Sequence, residues 1–186
     1  EPVAICRLKR TAADYKASIT ARLPVPPTVK NGRRIALSGG GPASLTVARD
    51  LLPLGYQVDL FDDQGAAGGF VRTQVPSFRL PQEVLDEEVN YILDMGVNCH
   101  FNQYVGSLKE MLGRGYDAIF VGTGAPRGRD LPDLPGRKEG DRFIHVGIYW
   151  LAAVLYARAS SAQDDSRAPA SIRFGLACAT IFEGTP

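Results

Sequence analysis

Apolar and polar positions divide the chain into short elements of alternating period. In residues 1–32 one stretch, AICRLKRTAADY, sets Ile5, Leu8, Ala12 and Ala13 at helical spacing. RLPVPPTVKNG follows with three prolines and reads as an extended connector. From Arg34 the pattern tightens. RIAL is a short apolar strand. PASLTVARDLLPLGY is a helix with Ala43, Val47, Leu51 and Leu54 on one face, and QVDLF is a second strand. Pro42 suits a first helical turn, where its missing N–H leaves nothing unpaired, while Pro53 disturbs the last turn and Gly55 ends it. VRTQVPSFRLP holds two prolines and no period, and reads as a loop over the sheet. PQEVLDEEVNYILDMGV is a helix with a stripe of Val84, Leu85, Val89, Ile92 and Leu93, stopped by Gly96.

VNCHF then predicts a short strand, and SLKEMLGRG a short helix with Ser107 as N-cap and Glu110 three residues on. In YDAIFVGTGAP, Ala118 to Val121 is continuously apolar, as in a strand covered on both faces of a parallel sheet. RGRDLPDLPGRKEG is a polar loop. GIYWLAAVLYARA is a helix apolar on most sides, SSAQDDSRAPAS a linker, and IRFGLACATIFEGTP a strand or short helix without an assigned place. The order strand, glycine loop, helix, strand is a βαβ unit. The expected fold is α/β around a central parallel sheet, with residues 1–32 a leader helix and connector, 33–159 the folded domain, and 160–186 a linker and unassigned segment.

Composition narrows the function. The 186 residues are 45% hydrophobic and 22% charged, enough for a packed core. A net charge of +1 argues against a nucleic-acid binder held by charge, and no apolar run approaches the ~18 residues of a membrane span. The opening EPVAICRLKR lacks the charged-then-apolar order of a signal peptide, so the cytoplasm is the expected compartment. Cys6, Cys99 and Cys178 are too scattered for a disulfide framework or metal site and read as small buried residues. His100 and His145 have no neighbouring ligand and read as structural or surface residues. Asp86, Glu87 and Glu88 read as a solvated helix face. No serine, histidine or cysteine arrangement suggests nucleophilic catalysis, so no catalytic residue is assigned.

The chemistry centres on SGGGPAS, Ser38 to Ser44. It could be a linker, a plain turn or a phosphate loop. Its place after a strand and before a helix favours the last, because Gly39-Gly40-Gly41-Pro42-Ala43-Ser44 fits G-x-G-x-x-small. Gly39 permits the tight turn, and Gly41 leaves room for a pyrophosphate against the backbone. Ser44 stands where glycine or alanine is usual, at the position that sets close helix–strand packing. The helix N-terminus presents N–H groups and partial positive charge to phosphates. Asp62 ends the second strand roughly 20 residues on, where a carboxylate accepts ribose hydroxyls and repels a 2′-phosphate. Asp63 reads as a solvated turn residue. FAD and NAD both satisfy this much. A Gly-Gly pair soon after the acidic residue, in GAAGGF, and the later AIFVGTGA match flavoproteins that bind two dinucleotides, and so favour FAD.

Three segments in order, KNGRRIALSGGGPASLTVARDLLPLGYQVDLFD, GGFVRTQVPSFRLPQEVLDEEVNYILDMGV and GYDAIFVGTGAPRGRDLPDLPGR, resemble the small (beta) subunit of NADPH-dependent glutamate synthase and its relatives. The flavin-binding part of dihydropyrimidine dehydrogenase is also similar. The likeness runs from about Pro2 to about Leu155 and implies a Rossmann-like FAD-binding domain. On it, Gly39, Gly41, Pro42, Ala43 and Ser44 hold the FAD pyrophosphate and Asp62 the adenosine ribose. Gly68 and Gly69 line the cofactor's passage, Arg79 reaches its phosphate or flavin side, and Val105 touches the adenine region. Thr123, Gly124 and Ala125 close over the dinucleotide. Arg72 is not included in the set.

The departures from that family are equally specific. Its N-terminal domain clusters cysteines for [4Fe–4S] centres, whereas only Cys6 lies in that neighbourhood here. Its NAD(P)H domain follows the segment matching IHVGIYWLAAVLYARA, where IRFGLACATIFEGTP offers no second glycine loop. The chain therefore reads as a shortened relative, the first half of an FAD domain. The resemblance implies electrons passing from NADPH or NADH through FAD to an acceptor, and a partner that is a larger synthase or reductase subunit or an iron–sulfur protein. The competing readings are a non-catalytic dinucleotide or assembly module and an NAD-binding dehydrogenase domain.

Overall fold

The computed structural model describes residues 3–125 and 127–160. The terminal segment IRFGLACATIFEGTP and nearly all of the linker before it lie outside the described residues.

Four strands form one parallel sheet: β1 (Arg34–Ser38), β2 (Gln57–Phe61), β3 (Asn98–His100) and β4 (Ala118–Val121), in the spatial order β3-β2-β1-β4. The helices are α1 (Ile5–Asp14), α2 (Pro42–Leu51), α3 (Phe70–Gln74), α4 (Gln82–Leu93), α5 (Leu108–Gly113) and α6 (Gly147–Ser160). The α/β class is as the periodicity predicts.

Alternation along the strands creates two cores. Ile35, Leu37, Val58 and Leu60 face one side, where Leu45, Ala48 and Leu52 from α2 and its continuing turn meet Val89 of α4. Leu37, Val58, Leu60 and Leu52 are almost fully buried, and each contributes about 1.5–3 kcal/mol. This cluster welds β1, α2 and β2 into one βαβ unit. On the opposite face Ala36, Phe61 and Tyr116 pack with Met111 of α5. Helices thus cover both faces, as in doubly wound sheets. After α2, Leu52–Leu54 tightens to a 3-10 turn around Pro53, and Gly55 adopts φ +86°. Ser107 caps α5 by accepting from the Glu110 amide at 3.2 Å, the expected capping contact.

Four local expectations are corrected. VRTQVPSFRLP is not all loop, since its first residues form α3. The turn begins on the Gly68 and Gly69 carbonyls, which accept from Val71, Arg72 and Thr73 amides. Ala118–Val121 is only partly covered: Phe120 and Ile119 are half-buried against the two cores on opposite faces, while Ala118 and Val121 are exposed. Among the described residues β4 is a sheet edge. Val84 is exposed rather than part of the α4 stripe, because Leu85, Val89, Ile92 and Leu93 already fill the side facing the sheet. Cys6 is exposed on α1, while Cys99 on β3 is half-buried and burial pushes its thiol pKa up.

The leader reaches the domain through polar contacts. Lys16 Nζ pairs with Glu88 and, at 3.3 Å, with Glu87, and lies over the Tyr91 ring. Asn31 joins the connector to the turn after α2, donating from its amide to Gly55 O at 2.9 Å and from its side chain to Leu54 O at 3.0 Å. Among the described residues no helix is long and apolar enough to cross a membrane.

Candidate functional site

Hydrogen bonds of the parallel ladder run just past the strands. Gly39 N donates to Phe61 O at 2.8 Å, Gly122 N to Ser38 O at 2.8 Å, and Asp62 N to His100 O at 3.1 Å. The segments that follow all four strands therefore start from one edge of the sheet. From β1 the chain goes to β2 on one side, and β4 lies on the other. The loops part between β1 and β4, the switch point at which such sheets bind ligands.

Glycines let the loops interlock there. Gly39 has φ +97°, and a Cβ on it would lie 2.6 Å from Gly122 O, so the fold itself requires glycine. Gly69, at φ +51°, crosses the first loop so closely that a Cβ would fall 2.7 Å from Gly41 Cα. Gly68 N donates to Gly40 O at 2.9 Å. Gly41 differs. Its backbone is extended at φ −75°, ψ 177°, and a Cβ would meet only Gly122 O, at 3.9 Å. Among the described residues nothing else fills that direction.

Asp62 ties the second strand to the loop. Its Oδ2 accepts from the Gly40 amide and its Oδ1 from the Gln64 amide at 2.8 Å. A carboxylate offers about four acceptor positions, so two remain. Asp63 is exposed and, among the described residues, pairs only with the neighbouring Gln64 side chain, as expected of a turn residue. The helix α2 starts at Pro42 without a side-chain cap, so the positive end of its dipole faces the glycine loop. Ala43 is exposed on its first turn and Ser44 fully buried. Space at Gly41, an uncapped helix start and an acceptor on Asp62 fit a pyrophosphate followed by a ribose.

The other sequence-derived residues divide. Thr123, Gly124 and Ala125 leave β4 beside Gly39 and are exposed. Val105 is half-buried against the Phe61–Met111 cluster and lines a cleft of about 270 Å3 with Tyr104, Ser107 and Arg114. That segment lies beside the acidic strand end, because Gln103 N donates to Asp62 O at 2.9 Å and Asn102 N to Gln64 O at 3.0 Å. Among the described residues no contact brings Arg79 to this group. Its side chain is exposed, with no hydrogen bond or ion pair among the described residues.

Arg72, left out on sequence grounds, braces the second glycine pair. It donates from Nε to Ala67 O at 2.6 Å and pairs with Asp86 at 2.7 Å, beneath Gly68. The guanidinium holds the Asp86 carboxyl below its usual pKa. A signal was available: Arg72 follows the Gly-Gly pair by three residues, and Asp86 sits in the first turns of α4. His100 is structural, donating from Nε2 to Asp59 Oδ1 at 3.2 Å while stacked on Phe61, and His145 is exposed. Among the described residues no three potential ligands gather into a metal site.

Fold and site together define a doubly wound α/β domain whose glycine loop has the form of a dinucleotide-binding motif. The comparisons with known proteins agree. The chain is 34% identical over 174 residues to an NAD-dependent dihydropyrimidine dehydrogenase subunit PreT homolog of Salmonella typhi, covering 92% of this chain and 40% of that protein. It is also 34% identical to the NADP(+)-dependent formate dehydrogenase subunit beta of Moorella thermoacetica, covering 81% and 24%, and 31% identical to the NADH glutamate synthase of Schizosaccharomyces pombe, covering 81% and 7%. The chain is a homologue of part of these NAD- and NADP-dependent oxidoreductases, several of which are named as subunits of larger enzymes. It spans about two fifths or less of their length. No family model matches it.

Proposed function

We propose that the chain is the FAD-binding part of an NAD(P)H-dependent flavin oxidoreductase resembling the small subunit of glutamate synthase, with residues 33–159 as the cofactor-binding unit. The observation that carries this reading is the free direction at Gly41 between an uncapped helix start and Asp62. The Gly68–Gly69 crossing over the same loop supports a dinucleotide that runs on past the first phosphate site.

In this reading Gly39, Gly41, Pro42, Ala43 and Ser44 form the pyrophosphate cradle: Gly41, Ala43 and Ser44 supply backbone N–H groups, while Gly39 and Pro42 shape the turn for close approach. Asp62 accepts the adenosine ribose hydroxyls. Gly68 and Gly69 leave the cofactor's path open, and Val105 borders the adenine. Thr123, Gly124 and Ala125 cover the dinucleotide, while Arg79 reaches it from the loop before α4. When bound, FAD supplies the redox chemistry, taking a hydride and releasing electrons singly, while the protein supplies position and electrostatics. NADPH or NADH is the donor. The acceptor side is a larger synthase or reductase subunit or an iron–sulfur protein, in the cytoplasm.

The test is reduction of FAD-loaded protein by NADPH or NADH without oxygen. Bleaching of the flavin absorbance is expected. Flavin that stays oxidised would assign the chain to the second reading, a module that holds the dinucleotide for assembly. That reading draws on α6, where Tyr149 and Trp150 are 45% and 50% exposed on an apolar helix.

A further inference from the structure

Ser44 is an exception in the loop motif, and its surroundings are exceptional too. The residue is fully buried, and its Oγ has no hydrogen-bond partner among the described residues. A buried hydroxyl without a partner is disfavoured, so packing must account for its fit. The space it fills belongs to Gly122. A Cβ built on Gly122 would lie 2.2 Å from Ser44 Oγ. The next atoms are Phe120 Cε1 at 2.9 Å and Cδ1 at 3.4 Å, the far end of a ring that can turn. Gly122 itself has little freedom to move. Its amide is bonded to Ser38 O at 2.8 Å, and its carbonyl lies against Gly39, where even a methyl group would approach it to 2.6 Å.

We infer that Ser44 and Gly122 are a size-matched pair, and that Ser44 is a positioning residue which sets where Gly122, Thr123 and Gly124 leave β4 over the dinucleotide site. The hydroxyl occupies the volume a side chain at position 122 would take. A larger residue at 122 must either turn the Ser44 hydroxyl within its closed packing, where no partner awaits it, or displace the start of α2 or the β4 loop. Either displacement moves a wall of the proposed cofactor site. The inference rests on the FAD reading for its binding consequences, and on the contact alone for its packing consequences.

The experiment titrates FAD into the apo protein and records the visible circular dichroism of bound flavin, for wild type, Gly122→Ala, Ser44→Ala, Ser44→Ala/Gly122→Ala and Phe120→Leu/Gly122→Ala. Gly122→Ala is expected to weaken FAD binding at least about tenfold and to alter the flavin dichroism. Adding Ser44→Ala, which removes only the hydroxyl, is expected to restore affinity to within about threefold and to restore the dichroism, whereas Phe120→Leu is not. Wild-type affinity in Gly122→Ala would overturn the inference. So would recovery through Phe120→Leu alone, or no recovery through Ser44→Ala. If Gly122→Ala fails to fold, recovery of folding by Ser44→Ala supports the pair and its absence overturns it. A wild-type chain that takes up no FAD would overturn the functional reading instead. The pair is then decided by apo melting temperatures, which must show the same rescue.

Discussion

Gly41→Val is expected to abolish FAD binding while leaving the fold intact. The extended backbone at Gly41 is open to any L-residue, and its Cβ direction is empty apart from Gly122 O at 3.9 Å. The Cβ of a valine there meets no backbone strain and no overlap with the described residues. The valine does place an isopropyl group where a pyrophosphate must come within hydrogen-bond distance of the α2 amides. The matched control is Gly39→Ala. That change combines φ +97° with an approach of 2.6 Å to a backbone carbonyl, and is expected to cost about 2–3 kcal/mol of stability. Thermal melts and flavin content of the purified variants separate the two. Gly41→Val melts near wild type without flavin, and Gly39→Ala melts several degrees lower. Stoichiometric flavin in Gly41→Val refutes the cradle.

Asp62→Ala is expected to lose both affinity and stability. The carboxylate accepts the buried Gly40 amide, and leaving such a donor unpaired costs about 1–3 kcal/mol. Two ribose hydrogen bonds to a charged acceptor, at about 1.5–3 kcal/mol each, correspond to a loss of roughly 100-fold or more in affinity. The 2′-hydroxyl isolates the ribose part from the loop part. Wild type is expected to bind ADP at least about tenfold more tightly than 2′-deoxy-ADP, and Asp62→Ala to bind the two alike. Equal binding of both nucleotides by wild type would leave Asp62 with a purely structural role, closing the loop through Gly40 and Gln64.

Much of this site was legible because its causes are local. Glycines at a strand end, a proline at N1 and an acidic residue ending the next strand belong to one continuous βαβ unit, so spacing alone brings Gly39, Gly41 and Asp62 to one edge. Ser107 capping α5 is equally local. What was not legible depends on partners distant in sequence. Nothing in AIFV tells that β4 is an edge, since that follows from the order of strands across the sheet. The helical turn α3 begins on glycine carbonyls and is braced by Arg72 against Asp86, a pairing between separate elements. Lys16 meets Glu87 and Glu88 across 70 residues and more of chain. The Ser44–Gly122 match joins the start of α2 to the end of β4. The motif position marked Ser44 as unusual without naming the residue that accommodates it.

Whether this loop system holds FAD is tested most directly by the absorption spectrum of the purified protein after incubation with FAD and removal of free cofactor, with flavin counted after denaturation. One FAD per chain, with visible flavin bands retained through the separation, is the expected result. A folded, colourless protein that takes up no FAD would contradict it.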